Sequence, residues 1–179
     1  PGLLHAPWRL AYLETLSESA PSKPASTGSF LRDYWLAPQR DAANHVLVRS
    51  ALGMVLLNAF PYANGHLLVA LGEARPRLLD YDDAQRTELW RLTDLASDLI
   101  DHALAPQGIN IGVNQGKAAG AGVPSHLHVH LVPRWSGDVN FTTTVARIRV
   151  LTSSLEAMAV RYRAAWDQIK ARWTFAQPA

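Results

Sequence analysis

The chain has 179 residues, of which 48% are hydrophobic and 18% are charged; it contains no cysteine and carries a formal net charge of +2. This length and composition predict one globular domain with a hydrophobic core. The lack of cysteine excludes disulfides and cysteine-ligated zinc, and so small a net charge gives no indication of nucleic-acid binding.

The first 30 residues predict an N-terminal arm followed by a flexible loop. The loop over residues 17–29 is small, polar and contains proline, whereas Trp8 and Tyr12 on the arm are suited to packing on the domain or on a partner chain. The first residues lack the charged and apolar regions of a signal peptide, and no apolar run is long enough to span a bilayer. We therefore expect no membrane contact, and the absence of cysteine fits the cytoplasmic protein that we expect.

Three strands are predicted next, over residues 45–49, 53–59 and 66–70. The Asn64-Gly65 pair before the third strand is a turn signal. A long helix is predicted over residues 82–104, because its apolar residues recur at spacings of three and four and form one buried stripe.

The remaining elements are predicted around a turn rich in glycine and alanine. They are strands over residues 109–113 and 125–132, the turn over 115–124 between them, and a helix over 154–173 within a C-terminal extension over 145–179. The second of these strands is expected to end at Pro133. The element order predicts a single α+β domain whose sheet is mainly antiparallel.

Three histidines occupy alternate positions of the strand predicted over 125–132: His126, His128 and His130. Alternate residues of a strand share one face and lie about 6.6 Å apart, at a rise of about 3.3 Å per residue. The intervening Leu127, Val129 and Leu131 then point into the core. Three neighbouring imidazoles contribute nothing to packing, which favours a functional role.

Two chemical roles fit this run of histidines. It could ligate a transition metal, for which His66 and Asp138 are the only candidate additional ligands, although neither has an informative spacing. Alternatively, a neutral imidazole can attack phosphorus and form a covalent intermediate while its neighbours donate hydrogen bonds to phosphoryl oxygens.

The segment before the histidines favours phosphate chemistry. Asn110 and Asn114 share a strand face with Gly112 between them. The following turn offers small residues, backbone N–H groups and Lys117, which is how anion-binding concavities are built.

The run of residues 126–132 resembles the signature of the histidine-triad (HIT) family. Residues 57–69 are similar to the family's ribose-side segment, and residues 110–141 are similar to the branch with bacterial diadenosine tetraphosphate phosphorylase-like and Fhit-like proteins. The resemblance implies a HIT-like fold with about five strands, one long helix and a C-terminal helix. It also implies a homodimer in which two sheets join.

The resemblance assigns roles to individual residues. His128 corresponds to the nucleophile, His130 and His126 to partners that orient it or hold the α-phosphate, and His66 to a buried support of the triad strand. Nucleotide-binding residues carried over or suggested with it are Asn58 for the ribose, Asn114, Gly120, Ala121 and Gly122 for the phosphates, Leu56 and Phe60 for the base, and Lys117 and Arg134 for distal phosphates. Apolar strand residues such as Leu56 and Phe60 are more often core residues, and Lys117 and Arg134 could equally be solvated surface charges.

Two departures from the family pattern change the expected site. Many relatives hold zinc with an N-terminal cysteine pair, a further histidine and a triad histidine. Ser29 stands near the expected cysteine and Ala74 stands at the expected histidine, so we expect no structural zinc. Gly120-Ala121-Gly122 replaces a turn that carries a hydroxyl in other branches, so backbone N–H groups must bind more of the phosphate.

The sequence therefore predicts a nucleotidyl transferase or hydrolase that cleaves a dinucleoside polyphosphate, or a related nucleotide, through a covalent intermediate on His128. No cofactor is expected, and Mg²⁺ is expected only as a companion of the polyphosphate. Two alternatives remain open at this stage. One is a nucleotide-binding protein with negligible turnover and an interaction role, and the other is a metal-dependent enzyme that uses the three histidines as ligands.

Overall fold

The computed structural model describes residues 27–138 and 150–175. The predicted N-terminal arm and most of its loop lie outside these residues, as do residues 139–149. Within them, a five-stranded antiparallel sheet has the strand order β1-β2-β3-β5-β4. Its strands are β1 Val46–Arg49, β2 Gly53–Leu57, β3 Leu67–Leu71, β4 Gly108–Val113 and β5 His128–Arg134.

Three α-helices accompany the sheet within residues 27–138 and 150–175. They are α1 Phe30–Trp35, α2 Asp83–Leu104 and α3 Leu155–Ile169. Asp82 caps α2 by accepting a hydrogen bond from the backbone N–H of Gln85, whose side chain accepts one from Asp82 in return. The predicted α+β class and antiparallel sheet are confirmed, and α1 is an additional helix that the sequence analysis did not predict.

The adjacent interior strands β2 and β3 are buried on both faces, because helices cover both sides of this part of the sheet. Helices α2 and α3 pack on one face with Val55, Val69 and Val129, whereas α1 covers the other face over Leu56 and Leu68. This double burial explains why β2 and β3 are apolar without alternation.

The boundaries of β5 differ from those predicted. The strand begins at His128 rather than Ser125, because the N–H groups of His126 and Leu127 bond to Val123 and Arg75, before the sheet ladder begins. It also continues through Pro133, which pairs with Ile109, to Arg134. None of the helices within the described ranges combines the length and apolar composition needed to cross a bilayer.

Candidate active site

The face of β5 that carries His128 and His130 forms the centre of the candidate site. Ala70 lies opposite His128, while Leu68 and Gly112 lie opposite His130 on the two neighbouring strands. Directly opposed residues of an antiparallel pair share a face, so both imidazoles stand on the side of the sheet that α1 covers in part. The centroids of the two rings are 4.8 Å apart.

The ring of His128 is held with one nitrogen available for chemistry. Its Nδ1 lies 2.8 Å from the backbone oxygen of His126, which can only accept a hydrogen bond. The proton of the neutral ring is therefore on Nδ1, and the lone pair is on Nε2. No hydrogen bond to this Nε2 is formed by residues 27–138 or 150–175, so the lone pair remains available as a nucleophile.

The ring of His130 has the opposite arrangement because His66 donates to it. The Nδ1 of His66 accepts hydrogen bonds from the backbone N–H of Tyr62 at 3.0 Å and the side-chain amide of Asn58 at 3.2 Å. Its Nε2 therefore carries the proton and donates to Nδ1 of His130 at 3.1 Å. A neutral His130 then carries its proton on Nε2, where it can donate to a phosphoryl oxygen.

His126 has no ring nitrogen left for a substrate. Its Nε2 donates to the backbone oxygen of Leu71 at 2.8 Å, and its Nδ1 lies 2.8 Å from the hydroxyl of Ser29. His126 is fully buried. Its contribution to the site is the backbone carbonyl that orients His128, and its ring cannot also hold the α-phosphate while these bonds are present.

The same contacts bear on whether these residues could hold zinc. Among the described residues, no group of three or more His, Cys, Asp or Glu side chains is arranged to hold a metal ion. The hydroxyl of Ser29 already bonds to the ring of His126, and Ala74 has no ligand atom. These residues do not fit a zinc ion.

Burial keeps the three histidines neutral. Desolvation lowers the pKa of His126 and of His128 below the usual 6.5, and it lowers the pKa of His130 to about 4. The nearby His128 contributes to this lowered pKa of His130. At pH 7 the site therefore offers neutral imidazoles, and its hydrogen-bond donors are N–H groups without formal charge.

Open space adjoins the two active-site rings on the β4 side. Helix α1 covers the face over β1, β2 and β3, but a Cβ atom on Gly112, which lies opposite His130, would meet no heavy atom within 4 Å. A ligand can therefore lie against β4 and β5 next to His130. Asn114 lies at the end of β4 and is half-buried, with its amide nitrogen beside Gly120.

Two backbone N–H groups of the glycine-rich turn form hydrogen bonds within the turn itself. The N–H groups of Gly120 and Ala121 bond to the carbonyls of Lys117 and Gly116, so they do not point at a ligand. Gly116 and Gly120 both have positive φ, near +86° and +89°, which glycine adopts without strain. The expectation that Gly120 and Ala121 bind phosphate through their N–H groups is not met in this conformation, which leaves Gly122 and the exposed Lys117 as candidates.

Three other expected nucleotide contacts are placed as follows. Leu56 is 1% exposed and packs among core residues beneath α1, so it has no free surface for a base. Phe60 is 74% exposed and is accessible to one. Arg134 binds Asp138 through two nitrogens, at 2.6 and 2.8 Å, and also donates to Asn110 at 2.9 Å, so its charge is already paired.

Asn58 has partners on both polar atoms of its side chain. In addition to donating to His66, it accepts a hydrogen bond from the backbone N–H of Phe60 at 2.9 Å. The amide retains a second proton and a second lone pair, which a ribose hydroxyl can use.

Comparison with known proteins identifies the family. The family model described as HIT domain matches residues 39–137. A protein named AP-4-A phosphorylase from Mycobacterium tuberculosis is 37% identical over 155 residues, which cover 85% of this chain and 77% of that protein. The chain belongs to the HIT domain family.

Other similar proteins agree with this assignment. A bis(5'-nucleosyl)-tetraphosphatase (asymmetrical) from Schizosaccharomyces pombe is 34% identical over 95 residues, which cover 53% of this chain and 52% of that protein. A zinc-bound histidine triad family protein from Mycobacterium smegmatis has the same fold, with a TM-score of 0.63 and 24% identity, over 79% of this chain and 96% of that one.

Several residues that build this HIT site were not predicted to do so. The ring of Tyr62 stacks on that of His130, with centroids 5.5 Å apart, and its N–H bonds to His66. Tyr162 on α3 donates its hydroxyl to the carbonyl of Gly65 at 2.6 Å, next to His66. Tyr162 lies among the buried residues of α3, but no sequence signal identified its partner.

Proposed function

We propose that this protein transfers a nucleotidyl group from a dinucleoside polyphosphate, such as diadenosine tetraphosphate, to water or inorganic phosphate. The observation that carries the proposal is the orientation of His128, whose Nδ1–H is bound by a backbone carbonyl and whose Nε2 carries an available lone pair. The name of the Mycobacterium tuberculosis relative, AP-4-A phosphorylase, supports this choice of substrate class.

The reaction proceeds in two displacements at one phosphorus. In the first, Nε2 of His128 forms a bond to the α-phosphorus while the bridging P–O bond breaks, and the remaining nucleoside polyphosphate departs with the bond's electron pair. In the second, an oxygen of water or phosphate attacks the same phosphorus, the N–P bond breaks and His128 regains its lone pair. The attacking oxygen's proton is lost to solvent.

Hydrogen bonds from the protein stabilise the charge that develops on the phosphoryl oxygens. His130 donates from Nε2, and its proton is held there because His66 occupies Nδ1. The open surface over Gly112 and Gly122 accommodates the phosphates, with Mg²⁺ bound to the polyphosphate as part of the substrate. The ribose is assigned to Asn58 and the base to the exposed side of Phe60.

We infer in addition that two copies of the chain pair through β4. This strand forms one end of the sheet and has a single neighbour, β5, within the described residues. Ile111 on it is 47% exposed. An uncovered edge strand with an apolar side chain is a template for pairing with another strand, here the β4 of a second copy.

Product analysis with diadenosine tetraphosphate, with and without inorganic phosphate, tests the proposed reaction. We expect cleavage to ADP plus ATP when phosphate is the acceptor, or AMP plus ATP when it is water.

The His128→Ala variant should lose turnover yet bind nucleotide within about tenfold of the unmodified protein, or ~1.4 kcal/mol. Binding without cleavage in the unmodified protein would instead support an interaction role, and turnover near the original rate in His128→Ala would eliminate the nucleophile.

A further inference from the structure

Ser29 lies outside the residues matched by the family model, yet it contacts the histidine run from the far end of the chain. It is 3% exposed and it precedes α1 as its N-cap residue. Its hydroxyl lies 2.8 Å from Nδ1 of His126, which is 97 positions further along. Both partners are buried, so water does not compete for this bond.

The direction of this hydrogen bond follows from the partner on the other side of the ring. The backbone oxygen of Leu71 can only accept, so the proton of the neutral His126 ring is on Nε2. The hydroxyl of Ser29 therefore donates to the lone pair on Nδ1. Rotation of the ring by 180° would place carbon atoms at both positions and lose both bonds, so the two contacts fix the orientation of the ring.

The fixed ring and the carbonyl that orients His128 belong to the same residue, His126. The oxygen of His126 accepts the Nδ1–H of His128 at 2.8 Å, at a point where the β5 ladder has not yet begun. Besides the ring, this stretch is anchored by backbone bonds from His126 to Val123 and from Leu127 to Arg75. Because few hydrogen bonds hold this loop peptide, the position of its carbonyl depends strongly on each of them.

We propose that Ser29 is a positioning residue for the nucleophile. Its hydroxyl holds the ring of His126, and the backbone carbonyl of His126 holds His128 with its Nε2 lone pair directed at the substrate. The kinetic part of this inference rests on the proposed function, whereas the structural part concerns only the state of the His128 ring. Helix α1 thereby becomes part of the active-site framework.

The test compares Ser29→Ala with variants that separate the hydroxyl from its other roles. In Ser29→Ala we expect kcat to fall about ten- to a hundredfold, with KM unchanged, because a misdirected nucleophile slows the chemical step. Ser29→Thr retains the hydroxyl and should restore kcat. Ser29→Gly removes the hydroxyl but is tolerated at a helix N-cap, so it repeats the test if Ser29→Ala folds poorly.

Ser50→Ala provides a matched control for the loss of a buried hydroxyl. Ser50 is fully buried, but within the part of the chain that the structure describes its hydroxyl bonds only to backbone atoms of Leu52 and Gly53, in the turn between β1 and β2. This variant should lower the thermal stability and leave kcat unchanged. A fall in kcat in Ser50→Ala equal to that in Ser29→Ala would overturn the positioning role.

Ring ¹⁵N NMR on the full chain provides a readout that does not require turnover. In the unmodified protein the signals of His128 should report a proton on Nδ1 alone, and in Ser29→Ala they should move towards an average of the two tautomers. Unchanged His128 signals in Ser29→Ala would overturn the inference. If the unmodified protein cleaves no dinucleotide, the proposed function fails, but these signals still decide whether Ser29 positions His128.

Discussion

The imidazoles of His128 and His130 are neighbours on one strand, yet opposite nitrogens carry their protons. A carbonyl fixes the proton of His128 on Nδ1, whereas the N–H of His66 fixes that of His130 on Nε2. One ring therefore presents a lone pair and the other a donor, although the two residue types are identical. This difference arises entirely from the groups bonded to the far side of each ring.

The pH dependence of turnover should reflect the lowered pKa of His128. The nucleophile must be neutral, and burial places its folded-state pKa below 6.5, so activity is lost only as the pH falls through that lower value. We expect the acid limb of kcat/KM that this group causes to have its midpoint below pH 6.5, the usual pKa of a histidine. An acid limb with its midpoint above 6.5 would contradict the assigned environment of His128.

The period of two predicted that His128 and His130 share a face, and the structure agrees. The sequence contained less information on which residues of that face are exposed to solvent. Leu56 follows the same alternation towards that face, but α1 covers it, and nothing in residues 53–57 indicates this cover. The hydrogen bonds of His126 were equally hidden, because Leu71 and Ser29 are distant in sequence.

At the scale of elements, α1 is too short to be stable by itself and is held by tertiary contacts. Leu31 is fully buried against β2 and β3, and Arg49 donates to the carbonyls of Tyr34 and Trp35 at the helix end. A Cβ on Gly72 would lie 2.2 Å from the ring of Trp35, so this glycine is required for the close approach. Six residues carry too little periodicity for such a helix to be predicted.

Helix α3 supports the site from the opposite side of the sheet through Tyr162. Its buried hydroxyl donates to the carbonyl of Gly65, and Tyr162→Phe would leave this carbonyl without its partner. We expect the free energy of unfolding to fall by about 1–3 kcal/mol, as measured by urea denaturation.

The matched control for this substitution is Tyr34→Phe. The Tyr34 hydroxyl has no hydrogen-bond partner within the described ranges, so its removal should leave the free energy of unfolding nearly unchanged. Equal stability losses in the two variants would mean that the bond from Tyr162 to Gly65 contributes nothing specific.

At the scale of the whole molecule, the strand order places β1 and β4 at the two edges of the sheet formed by the described residues. The long helix α2 and the alternating or apolar strands were predictable because each is a local pattern, and together they define the α+β class. The strand order was not predicted, since β5 is inserted between β3 and β4 by contacts remote in sequence.

Pairing of two copies through β4 makes a prediction about mass in solution. The unmodified chain should sediment at twice its mass of 19.7 kDa, and Ile111→Lys should shift it towards the monomer, because a lysine on an edge strand opposes pairing. Val160→Lys is the control, since Val160 is 65% exposed but lies on helix α3 and not on a strand. A monomeric unmodified chain would contradict the proposed dimer.

The stereochemical outcome at phosphorus tests most directly whether His128 forms a covalent intermediate. A dinucleoside polyphosphate made chiral at the α-phosphorus with sulfur and isotopic oxygen is cleaved, and the configuration of the released nucleotide is determined. Each in-line displacement inverts the phosphorus, so attack by His128 followed by attack of water or phosphate predicts overall retention. Overall inversion would show a single direct displacement and would contradict a nucleotidyl intermediate on His128.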